Sequence, residues 1–332
     1  MLTPKFPYNA SDAEAGKILN DFLPNRIFDA HAHLLETALM PNYDGGESLQ
    51  FGWERYKEEM SLLMCNRQLQ INALAFPHGE MADRSNGLIS RTDAFIIGEL
   101  NKCPGNVGEL IVHPADTEQE LEARLTHPGL RGFKCYHNIS GAENTWDATI
   151  DQYLPESAWA VAHRHKLVIT LHMVRDHALA DEKNLSYIRT QAKKYPDAVL
   201  ILAHCARAFA SWTGVESVAK LSDLDNVWFD FSAVCESPAM LQIIKKAGIK
   251  RCLWGSDYPV CRYRGKAISL ADSFYWILQK DLDNFSSLTR MNSYLVGTEN
   301  LMAVRQAFIL AELGDDAVED FFWNNAQRLF SR

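Results

Sequence analysis

The stretch Arg26-Ile27-Phe28-Asp29-Ala30-His31-Ala32-His33-Leu34 is an apolar run that ends in His-x-His. Such a run is typical of a buried β-strand, in which side chains two residues apart point to the same face. His31 and His33 are therefore expected on one face, about 6.6 Å apart along the strand. Two imidazoles in this arrangement can bind one metal ion.

The His-x-His spacing alone is weak evidence for a metal site. With 11 histidines in 332 residues, chance supplies about 0.4 such pairs. A second pair, His163 and His165, lies in a helix-like segment that turns basic at its end, where the helix dipole and solvent explain histidines. His31 and His33 differ because they lie at the carboxyl end of a predicted strand and have candidate partners further along the chain.

The composition indicates an ordinary globular protein, with 47% hydrophobic and 23% charged residues. A net charge of −9 without a basic cluster argues against nucleic-acid binding.

Because we find neither an apolar run near 18 residues nor a signal-peptide pattern, we expect a cytoplasmic protein without a membrane partner. Seven scattered cysteines fit a reducing compartment, and none has an obvious partner base that would make it a nucleophile. The expected partner is a small-molecule substrate, and the formation of a homo-oligomer is left open as a further expectation.

Seven more short apolar runs follow the first strand, separated by amphipathic segments. They span residues 71–76, 108–112, 132–136, 167–171, 199–203, 227–231 and 251–255. Eight apolar strands alternating with helices predict an α/β fold with a parallel sheet that closes into a (β/α)8 TIM barrel. An open doubly wound sheet is the alternative, but no G-x-G-x-x-G follows the first strand.

The whole chain, residues 1–332, is predicted to form a single domain. Residues 1–25 are predicted to be an N-terminal extension with one short helix, and residues 34–66 an insertion after the first strand; loops of such length tend to be functional. The tail after residue 267 is expected to be mostly helical and to add helices to the barrel, with candidate helices at residues 272–280, 299–313 and 317–330.

Further polar residues lie at the carboxyl ends of predicted strands, the rim where barrel enzymes place catalytic groups. They are His172 after the fifth strand, His204 after the sixth, Asp257 after the eighth, and Lys134 in the fourth. In a barrel, these side chains would converge on the mouth to which His31 and His33 point.

The chemistry of these residues suggests a metal centre. Three imidazoles and a carboxylate, from His31, His33, His172 and Asp257, suit Zn²⁺, with Mn²⁺, Fe²⁺ or Co²⁺ as alternatives. An ion with an open position lowers the pKa of bound water to about 7 and polarises a carbonyl group. Asp257 could also accept the proton of that water, and His204 is then free to act as acid, base or electrostatic clamp.

Three cationic residues are candidates for substrate binding. Lys134 has three interpretations: a carbamylated ligand that bridges two metals, an anion anchor, or a buried lysine paired with a carboxylate. Arg175 and Arg207, three residues beyond His172 and His204, could bind a substrate carboxylate.

Several motifs resemble the amidohydrolase superfamily, in the branch that holds aminocarboxymuconate semialdehyde decarboxylase and related hydrolases. They are Asp29-Ala30-His31-Ala32-His33, Gly132-Phe133-Lys134, Leu171-His172-Met173, Leu202-Ala203-His204-Cys205, Trp254-Gly255-Ser256-Asp257-Tyr258-Pro259 and Asn324-Asn325-Ala326-Gln327-Arg328-Leu329-Phe330. The resemblance implies a distorted (β/α)8 barrel with a divalent metal, most often zinc, on His31, His33, His172 and Asp257, and with His204 catalytic. Binuclear members carry a carboxylated lysine on the fourth strand. A single ion is favoured, and Lys134 leaves a site with two ions open as the alternative.

The leading hypothesis is a metal-dependent hydrolase that acts on a small polar substrate through metal-activated water; whether the substrate is carboxylated stays open. The alternative is a lyase, a nonoxidative decarboxylase or hydratase, that uses the same metal. A third hypothesis is a binding protein that retains the barrel and a structural zinc, because a fold does not fix a function.

Overall fold

The computed structural model describes residues 3–40, 48–283 and 292–332. Its main sheet has the strand order β2-β1-β3-β4-β5-β6-β7-β8-β9 and is parallel except for the antiparallel pair β1–β2. The strands are β1 (Arg26–Glu36), β2 (Gln50–Phe51), β3 (Gln68–Ala75), β4 (Val107–Ile111), β5 (Leu130–Tyr136), β6 (Val168–His172), β7 (Val199–Leu202), β8 (Val227–Asp230) and β9 (Cys252–Leu253). All eight predicted strands are therefore present, and β2 is an addition at the edge.

The sheet closes because the chain after β9 returns to β1. Three backbone hydrogen bonds join them: Ala30 N to Trp254 O (2.9 Å), Asp257 N to His31 O (2.8 Å) and His33 N to Tyr258 O (2.8 Å). Since β9 itself is only two residues long, irregular chain makes this closure. The predicted distorted (β/α)8 barrel is confirmed.

Helices lie before, between and after the strands. They are α1 (Ala10–Asn20), α2 (Trp53–Leu63), α3 (Leu88–Leu100), α4 (Glu118–Arg124), α5 (Glu156–His165), α6 (Glu182–Lys194), the single turn α7 (Ala203–Arg207), α8 (Ser211–Ser217), α9 (Ser237–Ala247), α10 (Gln279–Asp283), α11 (Val296–Leu310), α12 (Asp315–Glu319) and α13 (Asn325–Phe330). The predicted N-terminal helix is α1, and the predicted helices at residues 299–313 and 317–330 correspond to α11 and to α12–α13. Residues 41–47 of the predicted insertion and residues 284–291 of the predicted tail lie outside the described residues.

The prediction of a helix at residues 272–280 is wrong. Residues there form β11 (Ser273–Leu278), which pairs antiparallel with β10 (Gly265–Leu270) in a separate hairpin. The segment is a run of aromatic and branched residues, a composition that favours a strand over a helix. Ala271, in the turn, adopts the left-handed conformation (φ 53°) that tight hairpin turns require.

The interior of the barrel is layered. Residues near the amino ends of the strands, such as Phe28, Val168 and Val199, form an apolar cluster with Phe330 of α13. The C-terminal helix therefore closes this end of the barrel, and the polar groups gather towards the other end. Among the described residues, no helix has the length and apolarity needed to cross a membrane.

Candidate metal centre

Three of the predicted ligands meet at the carboxyl end of the barrel. His31 Nε2 lies 3.2 Å from His33 Nε2 and 3.5 Å from Asp257 Oδ1, and His33 Nε2 lies 3.8 Å from the same carboxylate oxygen. A circle through three atoms so spaced has a radius of about 2.0 Å, which matches Zn–N and Zn–O bond lengths. The triangle therefore has the size that a single zinc ion requires.

The hydrogen bonds of the two imidazoles determine which nitrogens can bind metal. His31 Nδ1 lies 2.9 Å from Asp230 Oδ2, and His33 Nδ1 lies 3.1 Å from the carbonyl oxygen of Ala75. Both partners are acceptors only, so each Nδ1 carries the proton and each Nε2 has a free lone pair. Two bare lone pairs facing each other at 3.2 Å repel unless a cation lies between them, and this fits a metal ion.

Local packing of β1 against the chain after β9 holds the triangle. The buried Asp29 accepts hydrogen bonds from the backbone N–H groups of His31 (3.0 Å) and Ser256 (2.9 Å). At Gly255, a Cβ atom would lie 2.6 Å from the Cβ of His31, so only glycine fits there. Asp257 adopts the left-handed conformation (φ 55°), which places strain at the site.

His204 and His172 form a second pair beside the triangle. His172 Nδ1 lies 3.2 Å from His204 Nε2, and the ring centroids of His204 and His31 are 5.0 Å apart. His204 Nδ1 donates to the hydroxyl oxygen of Ser232 at 2.9 Å, so its Nε2 accepts the proton of His172 Nδ1. His172 therefore has its free lone pair on Nε2. Within the described residues, His172 lies outside the close group of His31, His33 and Asp257.

A left-handed turn presents His204 and a nearby arginine together. The four consecutive residues His204, Cys205, Ala206 and Arg207 have φ angles of 57°, 53°, 59° and 58°. Such a conformation is costly for residues other than glycine and is found where surrounding contacts impose it. Because residues three apart share a face of a helical turn, both His204 and Arg207 face the same cavity.

Burial sets the protonation of these groups. It lowers the pKa of His31, His33 and His172 well below the usual range, and it lowers the pKa of His204 to about 3. The imidazoles are therefore neutral at pH 7, the state in which they bind metal. Burial raises the pKa of Asp257 well above its usual range, with Asp230 and Asp29 adding to the rise and Lys134 opposing it.

The cavity over this site has a volume of about 590 Å³ and walls rich in aromatic residues. Those aromatic residues are Phe76, Tyr136, Trp146, Phe209, Tyr263, Phe274 and Trp276. The guanidinium carbon of Arg207 lies 5.5 Å from the ring centroids of both Trp146 and Phe274. In the described part of the chain, no carboxylate lies within ion-pair distance of Arg207, and it is the one Lys or Arg on the wall.

The other two cationic candidates, Arg175 and Lys134, are not among the described residues that line this cavity. Arg175 binds Asp181 (2.7 Å) and the carbonyl oxygen of Asp147 (2.6 Å), so its guanidinium is committed to the protein itself. Lys134 is fully buried two residues before the rim residue Tyr136, one layer further into the barrel. Its Nζ has no hydrogen-bond partner among the described residues, and burial lowers its pKa, opposed by Asp230 and Glu109.

Sequence reasoning missed several residues of the site. Asp230 ends β8 at the same rim, and its position after an apolar run is the signal that identified His172. Ser232 follows two residues later and donates its hydroxyl proton to Asp230. Glu109, on β4, is fully buried, and burial raises its pKa to about 7. Nothing in the sequence indicated that the β10–β11 hairpin would supply Phe274 and Trp276 to the cavity.

Comparison with protein families identifies the chain. Residues 28–332 match the family model described as amidohydrolase. The chain belongs to the amidohydrolase family. Members of this family are enzymes that use divalent metal ions, and the predicted family is confirmed. No curated protein matched the chain in a separate search.

Solved structures of this family share the fold at low sequence identity. An amidohydrolase from Burkholderia multivorans with bound zinc is 13% identical, with a TM-score of 0.58 over 92% of this chain and 99% of that one. The 5-carboxyvanillate decarboxylase of Sphingomonas paucimobilis is 14% identical, with a TM-score of 0.53 over 93% and 99%. A 2,6-dihydroxybenzoate decarboxylase in complex with 2,6-dihydroxybenzoate is 13% identical, with a TM-score of 0.50 over 93% and 99%. At such identities, the similarity shows the fold alone.

Proposed function

We propose that this amidohydrolase is a zinc-dependent hydrolase of a small, planar carboxylated substrate, with one ion at the centre formed by His31, His33 and Asp257. The observation that carries this proposal is the triangle of ligand atoms, whose size fits one zinc ion and whose Nε2 lone pairs need a cation. His172 is the proposed fourth ligand through Nε2, because its Nδ1 proton is donated to His204.

The cavity supports the proposed substrate class. Its aromatic walls favour a flat, unsaturated molecule, since ring faces gain most from parallel or edge contacts with other rings. Arg207 donates from Nη1 to the carbonyl oxygen of Arg175 at 3.0 Å and has no carboxylate partner in the described structure, so its remaining N–H groups are suited to bind a substrate carboxylate. The proposed role of Arg207 is therefore to orient the substrate, whereas Arg175 and Lys134 do not reach the cavity wall as described.

The proposed reaction is hydrolysis of an ester, amide or lactone bond. A divalent ion held by His31, His33 and Asp257 would supply an acidified water and would polarise the substrate carbonyl. Neutral His204, fixed by Ser232 at Nδ1, is the proposed base: its Nε2, which accepts the Nδ1 proton of His172 in the structure, takes the proton of the attacking water once that hydrogen bond has broken. The water oxygen bonds to the carbonyl carbon, the bond to the leaving group breaks, and His204 returns the proton to that group. Asp257 orients the water by accepting a hydrogen bond.

The second candidate is nonoxidative decarboxylation at the same site. It is favoured by the aromatic cavity with an arginine on its wall, since this fits an arene carboxylate as well as a cyclic ester. In that reaction, the bond between the ring and the carboxylate breaks, carbon dioxide leaves and the ring carbon takes a proton. Isotopes separate the two: in ¹⁸O water, hydrolysis places ¹⁸O in the product acid, and in D₂O, decarboxylation places deuterium on the ring.

The test of the proposed function uses metal-stripped protein reloaded with Zn²⁺ or Mn²⁺ and assayed on planar carboxylated lactones, esters and arene carboxylates. His31→Ala is expected to lose zinc and to lower turnover by more than about 100-fold, beyond the loss that outer-shell changes cause. His165→Ala is the matched control, because His165 has the same His-x-His spacing but is exposed on α5 and pairs with Glu122.

Full zinc binding and turnover are expected from His165→Ala. The proposal fails if the wild-type protein takes up neither zinc nor manganese, or if His31→Ala turns over the panel as the wild type does.

A further inference from the structure

We infer that Asp230 is a positioning residue that fixes His31 in the tautomer able to bind the metal ion and anchors the left-handed turn that carries His204. This inference rests on the proposed metal site. On this inference, Asp230 alone positions both the metal ligand His31 and the proposed catalytic base His204.

Both carboxylate oxygens of Asp230 are used, and they serve different elements. Oδ2 lies 2.9 Å from His31 Nδ1. Oδ1 accepts hydrogen bonds from the backbone N–H groups of His204 and Ser232, each at 3.1 Å, and from the hydroxyl group of Ser232. Asp230 is fully buried, so water does not compete for these contacts.

The carboxylate leaves His31 only one useful tautomer. An ionised carboxylate accepts hydrogen bonds and donates none, so the imidazole nitrogen that faces Oδ2 must carry a proton. Nε2 is then the deprotonated nitrogen, and it is the one that faces His33 and Asp257. Among the three ligands of the triangle, His31 is the one whose tautomer depends on a side chain, since His33 Nδ1 donates to a backbone carbonyl.

The turn depends on the same carboxylate. The N–H group of His204 begins four left-handed residues, and its bond to Oδ1 satisfies a donor that this conformation leaves without a partner in regular structure. The Ser232 hydroxyl donates to Asp230 and accepts from His204 Nδ1, so one chain of hydrogen bonds joins both histidines.

Asp230→Asn separates the two roles. The amide oxygen of the asparagine must face the N–H groups of His204 and Ser232, which only an acceptor can satisfy. The amide nitrogen then faces His31 Nδ1 and donates to it, so His31 moves its proton to Nε2 and loses the lone pair that binds metal. We expect the turn to survive and the zinc affinity to fall by at least 10- to 100-fold, the range seen for outer-shell partners.

The experiment measures zinc affinity by competition with a chromogenic chelator, for the wild type, for Asp230→Asn and for Asp93→Asn. Asp93 is the control, because it is also a buried carboxylate but pairs with Arg124 on the outer helices. Asp93→Asn is expected to lower the unfolding temperature and to leave zinc affinity within about threefold. Zinc affinity of Asp230→Asn within threefold of the wild type overturns the inference.

Different results would refute the proposed metal site and the proposed role of Asp230. A wild-type protein that binds no zinc refutes the metal site itself, whereas a zinc-binding wild type with an unaffected Asp230→Asn variant refutes only the role of Asp230.

If Asp230→Asn does not fold, the wild type itself decides. Histidine ¹⁵N chemical shifts of the zinc-free protein report which ring nitrogen carries the proton before any metal binds. A protonated Nδ1 on His31 supports the inference, and an unprotonated Nδ1 overturns it.

Discussion

At the scale of single residues, Gly255 controls the geometry of the ligand triangle. A Cβ atom there would lie 2.6 Å from His31 Cβ and 3.1 Å from Ser232 Cβ, and neither is the end of a flexible side chain. Gly255→Ala is therefore expected to push His31 away from Asp257. We expect a loss of about 1–3 kcal/mol in the free energy of unfolding, as for overpacked cores, and a zinc affinity at least tenfold weaker, measured by urea denaturation and chelator competition.

Gly98→Ala is the control for this change. Gly98 lies within α3, and a Cβ there meets nothing within 4 Å. Because alanine is the better helix former, Gly98→Ala is expected to raise stability by about 1 kcal/mol and to leave zinc affinity unchanged. A Gly255→Ala protein that binds zinc as tightly as Gly98→Ala does would contradict the proposed close approach.

At the residue level, the sequence predicts candidate site residues from polar side chains that lie at the ends of apolar strands. His31, His33 and Asp257 were predicted from their positions at strand ends, and the structure brings them together. Asp230 was missed because it was taken as part of an apolar run, although it also ends a strand. The hydrogen bond between His172 and His204 depends on side-chain orientation at the rim, which spacing along the chain does not report.

At the scale of elements, the left-handed turn His204–Arg207 stores strain that a glycine would release. Ala206, with a φ of 59°, is buried. An alanine in the left-handed conformation costs about 1–2 kcal/mol of stability, which Ala206→Gly recovers. The same change removes a buried methyl group, which costs about 0.8 kcal/mol. The two effects roughly cancel. We expect Ala206→Gly to change the free energy of unfolding by less than about 1 kcal/mol.

The matched control for the turn is Ala307→Gly. Ala307 is also fully buried but lies in the right-handed helix α11. There, glycine loses helix propensity and the buried methyl group together, about 2 kcal/mol in all. Chemical denaturation compares the two variants, and an equal loss in both would show that the turn is not strained.

The sequence predicts those elements whose burial in the barrel makes them apolar along their length. The barrel strands were found because each is apolar and bounded by polar segments. The helix predicted at residues 272–280 covers β11, whose hairpin with β10 lies outside the barrel sheet and so outside the alternation of strands and helices that guides the prediction. Its contribution of Phe274 and Trp276 to the cavity arises from tertiary packing, and a local pattern does not record such packing.

At the scale of the whole molecule, the candidate metal centre lies at the seam of the barrel. His31 and His33 come from β1, whereas Asp257 comes from the chain that follows β9, and only backbone hydrogen bonds of irregular chain close the sheet there. An ion held by both sides would cross-link strands that are more than 200 residues apart in sequence. Metal binding should therefore stabilise the closed barrel as a whole.

Thermal unfolding of chelator-treated protein, with and without added zinc, tests this coupling. At a free zinc concentration of 100 times the Kd, linkage adds about 2.7 kcal/mol, which for a chain of 332 residues raises the Tm by about 4 °C. His31→Ala is expected to show no shift, because it lacks a ligand on the β1 side of the seam. An equal zinc-dependent shift in His31→Ala would mean that zinc stabilises the protein somewhere other than this seam, since the variant would retain the effect without the ligand that the triangle requires.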